Sequence, residues 1–183
     1  FINLQRSDKK FSDSILKQNT VNAVTKTMID FVQSIGIPVE LGTIPPEKEF
    51  VPGVCIHHGG LLIDIETLKY PGDILHEAGH LAVVSAEQRK TLDGILTNEN
   101  REAPAEEMMA IAWSYAAAVY LNIDPAIVFH EFGYKGGGGF IAENFANKKY
   151  FGVPMLQWLG FTKDEKYAIA EGVPAYPHML KWL

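Results

Sequence analysis

The stretch that decides the reading is Pro71-Gly72-Asp73-Ile74-Leu75-His76-Glu77-Ala78-Gly79-His80-Leu81-Ala82-Val83-Val84. Pro71-Gly72 followed by Asp73 predicts a helix start, with Asp73 as N-cap, and a helix running to about Gln88. Ile74, Leu75, Leu81, Ala82 and Val84 flank the polar residues, so this helix is expected to be buried. His76 and His80 stand at i and i+4, which puts both imidazoles on one face, about 5–6 Å apart at Cβ. Burying two histidines and a glutamate without partners is costly. A shared metal ion removes that cost, and Glu77, one step round the helix, is placed to take a proton from a water that the ion activates.

A catalytic zinc usually has three protein ligands and an open position. No Gly-x-x-His extension supplies the third, because His80 is followed by Leu81-Ala82-Val83-Val84-Ser85-Ala86. The next strong helix start is Pro104, with Glu106 and Glu107 in the first turn and a helix expected to about Leu121. Counted from Glu107, the small residues Ala110, Ser114, Ala117 and Ala118 share its face and would permit close approach to the His76 helix. Glu106 has Met109 and Trp113 on its own face and suits a capping role. The expected ligands are therefore His76, His80 and Glu107, with Glu106 the alternative to Glu107. The expected ion is Zn2+, and Glu77 is the expected catalytic base.

Elsewhere the signals are weaker. Val21 to Ile35 carries apolar residues at helical spacing and stops at Gly36 and Pro38, while residues 1–18 read as an arm or a short helix. Val39 to Pro52 reads as a strand and a loop. Two apolar runs, Val54-Cys55-Ile56 and Leu61 to Ile65, flank His57-His58-Gly59-Gly60 and predict a β-hairpin with a solvated turn. Asp93-Gly94 reads as a turn, and Asp124-Pro125 opens a short helix. His130 and Tyr134, just before the glycine loop Gly136–Gly139, are candidate donors to a developing oxyanion. Thr162 and Glu165 read as a capping box. Cys55 is read as a core residue of its strand, and the aromatics, Trp113 and Trp158 among them, as core.

The order helix, strands, then mostly helices predicts an α+β fold, a small N-terminal-side β-sheet packed on a mostly helical core. With 183 residues one domain is expected, its metal-site core at about 53–121 and a helical part at about 122–183. Hydrophobic residues are 47% and charged residues 21%, which excludes a disordered or coiled-coil chain. A net charge of −6 leaves no basic face for a nucleic acid, so none is expected as partner. No apolar run approaches a membrane span, so no membrane partner is expected. One cysteine makes no internal disulfide and suits a reducing compartment, so the expected location is cytoplasmic.

From about Pro71 to Leu121 the chain resembles the gluzincin branch of the zincin metallopeptidases. There a His-Glu-x-x-His helix is followed by a helix donating a glutamate. Glu107-Met108-Met109-Ala110 looks like the Glu-x-x-Ala that often opens the second helix. The hairpin ahead of the motif resembles the ImmA/IrrE-like layout, which implies that the strand Leu61–Ile65 borders the substrate cleft. Many gluzincins carry an aspartate four residues after the ligand glutamate; here that position is Ile111, so support for a ligand histidine must come from another residue. The resemblance implies a zinc-dependent hydrolase, a metallopeptidase acting on a peptide or protein. The alternative is a non-catalytic, zinc-stabilised binding or regulatory protein, which a closed four-ligand site with His130 or Cys55 would mark.

Overall fold

The structure is a computed structural model that describes residues 23–48, 51–93 and 103–183. Helix α1 covers 23–34. It is followed by β1 (Val39–Leu41), a 3-10 turn (Pro46–Lys48), β2 (Val54–His57) and β3 (Gly60–Ile63). The rest is helical: α2 (Asp73–Ala82), α3 (Ala86–Thr91), α4 (Ala103–Tyr120), α5 (Pro125–Val128), α6 (Gly138–Ala146), α7 (Val153–Trp158) and α8 (Glu165–Glu171). The fold is α+β, a small mixed sheet against a mainly helical body. The arm at 1–18 and the Asp93-Gly94 turn lie wholly or partly outside the described residues.

The sheet order is β1-β3-β2, with β3 parallel to β1 and antiparallel to β2. β3 therefore has hydrogen-bonded neighbours on both sides. Among the described residues it is the central strand of the sheet. The sheet edge on the hairpin side belongs to β2, whose Val54, Cys55 and Ile56 are buried.

α2 and α4 make up the centre. α2 buries Ile74, Leu75, Ala78, Leu81 and Ala82 against β2, β3 and α4. α4 is enclosed on most sides: Ala110, Ala112, Trp113 and Ala116–Ala118 are buried, and the buried Ser114 hydroxyl donates to the Ala110 carbonyl at 2.8 Å. The Trp113 indole N–H donates to the Trp182 carbonyl at 3.1 Å and pins the chain's last residues beside Phe31 of α1.

Several local expectations change. α2 ends at Ala82 rather than Gln88, because Ser85 is extended and starts a new helix with its own capping box to Gln88. Arg89 then donates to the Leu81 and Val84 carbonyls and closes the end of α2. Asp73 is the first helical residue, not the N-cap, and its carboxylate turns instead to His130. The cap of α8 is Asp164, which accepts from the Tyr167 N–H, while the Thr162 hydroxyl donates to the His178 carbonyl at 2.6 Å. α6 begins at Gly138, inside the expected glycine loop. Trp158 lies outside the core, 86% exposed.

Candidate metal centre

α2 supplies His76, Glu77 and His80, and the start of α4 supplies Glu106 and Glu107. The two helices meet closely because the residues at their contact are small. A Cβ added to Gly79 would lie 2.9 Å from the Ala110 carbonyl oxygen. On the far side of α4, Gly152 at φ +78° abuts Met108, and a Cβ there would run into the Met108 carbonyl. The second turn of α4, from Met108 to Ala110, is thus held between two glycine contacts.

The donor atoms converge. His80 Nε2 lies 3.1 Å from His76 Nε2 and 3.3 Å from Glu107 Oε2, and His76 Nε2 lies 3.5 Å from Glu107 Oε1. A tetrahedral ion with bonds of about 2.1 Å separates its ligand atoms by about 3.4 Å. The two imidazoles face different oxygens of Glu107 at separations around that value, and one donor atom from each residue lies within 4.8 Å of the others, a group that could hold a metal ion. Neither His130 nor Cys55 joins this group among the described residues.

Glu106 turns toward α2. Its Oε1 lies 3.4 Å from His80 Nδ1, so two consecutive carboxylates bracket one imidazole that is 1% exposed: Glu107 at Nε2, Glu106 at Nδ1. Glu106 thus places a carboxylate beside the ring where Ile111 offers none. The signal was present in the sequence as two adjacent first-turn glutamates, but the bend of both side chains toward one ring depends on the tertiary approach of α2.

Glu77 is half-buried and lies within electrostatic reach of Tyr134 and Cys55. Tyr134 faces the site from across it. Its ring packs edge-on against His76, centroids 5.1 Å apart, and against Phe129. Its hydroxyl is buried with no hydrogen-bond partner among the described residues. Burial, together with the nearby carboxylates of Asp73, Glu107 and Glu77, pushes its ionisation well above the usual tyrosine range, so it stays a neutral donor. Tyr134 and Lys135 both have left-handed backbone, φ +55° and +56°, which costs non-glycine residues on the order of 1–2 kcal/mol each. The half-buried Tyr134 ring packs against the core through Phe129 and His76.

His130 Nε2 bonds Asp73 Oδ1 at 3.1 Å, and the His130 ring stacks on Tyr70, centroids 4.0 Å apart. Burial raises the Asp73 carboxyl above its ordinary range, against the pull of His130. Cys55, raised by burial, is a strand residue of the core.

No family model, curated protein or solved structure matches this chain. The site therefore stands on its own geometry. Among the described residues no helix is long and apolar enough to cross a membrane.

Proposed function

We propose that the protein is a zinc-dependent hydrolase, a metallopeptidase that cleaves amide bonds. The observation that carries this reading is the three-donor group His76, His80 and Glu107, whose donor atoms lie within 4.8 Å of one another, with Glu77 beside it on α2. These three residues would hold the ion. Bound there, a zinc ion supplies Lewis acidity and brings a water toward ionisation near neutral pH. Among the described residues the group has three donors, the number that catalytic zinc sites use, where closed structural sites use four.

The chain's own groups then divide the work. Glu77 accepts a proton from the attacking water and returns it to the departing amine. The Tyr134 hydroxyl, neutral and without a competing acceptor, donates to the oxygen on which negative charge develops. Glu106 fixes the His80 ring through its Nδ1 side. The His130–Asp73 pair steadies the segment that carries Tyr134.

The test replaces Glu77 by Gln. Zinc content, measured by elemental analysis, is expected to stay at the wild-type level, while cleavage of a mixed peptide library falls by about 10²–10⁴-fold. Turnover equal to wild type would refute the role given to Glu77.

A further inference from the structure

At the other end of β2 the hairpin turn brings two more histidines together. Consecutive strand residues normally point to opposite faces. Here His58 is left-handed, φ +48°, and is followed by Gly59 at φ +75°, the backbone of a two-residue hairpin turn that favours Asn-Gly or Gly-Gly. That twist folds the His58 ring back beside His57, with centroids 4.0 Å apart. Asp93, just past the end of α3, reaches the same place. It is positioned by the Gly59 N–H donating to the Leu92 carbonyl at 2.9 Å and the His58 N–H donating to Asp93 Oδ1 at 3.3 Å.

His57 Nδ1 lies 3.1 Å from Asp93 Oδ1, and His58 Nδ1 lies 3.8 Å from Asp93 Oδ2. One donor atom from each of the three residues falls within 4.8 Å of the others. Lys48 Nζ sits 3.2 Å from both Asp93 oxygens, so the carboxylate already holds a cation. His58 is exposed, which leaves an entry path and room for water ligands. Two imidazole nitrogens and one carboxylate oxygen suit borderline divalent ions, Zn2+, Ni2+ or Co2+, rather than Ca2+ or Mg2+.

We propose that His57, His58 and Asp93 form a solvent-open site for a borderline divalent cation, with the Lys48 ammonium as its built-in competitor. A bound ion would clip the β2–β3 turn to the end of α3. The inference is independent of the hydrolase reading, because it shares no ligand with His76, His80 or Glu107.

The experiment is a calorimetric titration of the untagged chain with Zn2+, repeated on His58→Ala, Lys48→Met and His80→Ala. The expected result is a weaker binding event that His58→Ala removes and His80→Ala leaves in place. Lys48→Met should tighten that event by roughly fivefold or more, the effect of removing one like charge a few ångströms away. His58 is a surface residue, so His58→Ala is not expected to disturb folding. Identical isotherms for wild type, His58→Ala and Lys48→Met would overturn the proposal.

Discussion

Gly79 of α2 lies against Ala110 of α4, and a Cβ on Gly79 would stand 2.9 Å from the Ala110 carbonyl oxygen and 3.2 Å from its Cα. Both neighbours are backbone and have little room to move. Gly79→Ala should therefore push α2 and α4 apart at the point that brings His76 and His80 to Glu107. Overpacking of this kind costs about 1–3 kcal/mol, or roughly 2–12 °C in Tm for a chain of this size. The expected result is a lower Tm together with weaker Zn2+ binding, read by melting with and without metal. An unchanged Tm would mean that the helices do not meet as described.

Tyr134→Phe removes a hydroxyl that has no hydrogen-bond partner among the described residues. A buried donor without a partner contributes nothing favourable to folding, so the variant should be as stable as wild type or slightly more so. If the hydroxyl donates to the developing oxyanion, kcat should fall by about 10²–10³-fold with KM little changed. A drop in stability with no change in kcat would reverse the assignment.

Glu106→Gln keeps the size of the side chain and removes the charge facing His80 Nδ1. Loss of such a partner to a ligand histidine lowers metal affinity by about 10–100-fold. Competition for Zn2+ with a chromogenic chelator measures it directly. Equal affinity would leave Glu106 as a bystander.

Asp93 tests the hairpin contact through pH. Its burial opposes ionisation, but hydrogen bonds from Lys48, from His57 and from the His58 N–H outweigh that and hold its carboxyl below the usual range. A folded-state value below the unfolded value of about 3.9 means the stabilisation is present above that pH. It is lost as pH falls through the folded value. Asp93→Asn should therefore be less stable than wild type near neutral pH, and the two Tm curves should converge below about pH 4. The measurement belongs in chelator, so that no bound ion contributes. A gap that persists undiminished into acid would rule out the ionised contact.

What the sequence made legible was local. The i, i+4 histidines, the Pro104 start and the small-residue face from Ala110 to Ala118 are short-range patterns, and α2 and α4 carry them as expected. The hairpin was readable from two apolar runs about a Gly-Gly step. The pairing of β1 with β3 was not, because a parallel neighbour far along the chain leaves no mark on either strand. The end of α2 is hidden in the sequence because its apolar pattern runs on through Val83 and Val84, whereas the break is set by the Ser85–Gln88 box and by Arg89. The sequence neighbours of Asp73 suggest a cap. Its actual partner, His130, comes from beyond α4 and α5. The approach of Glu106 to His80 likewise depends on how α2 and α4 meet.

Gly152 gives the C-terminal third of the chain an indirect hold on the chemistry. No residue beyond Tyr134 belongs to the proposed site, yet the turn before α7 braces Met108 from behind, next door to Glu107. A shortened chain ending before residue 150 would retain every reactive group and lose the buttress that aims one of them. Any minimal version of this protein has to be cut with that dependence in mind.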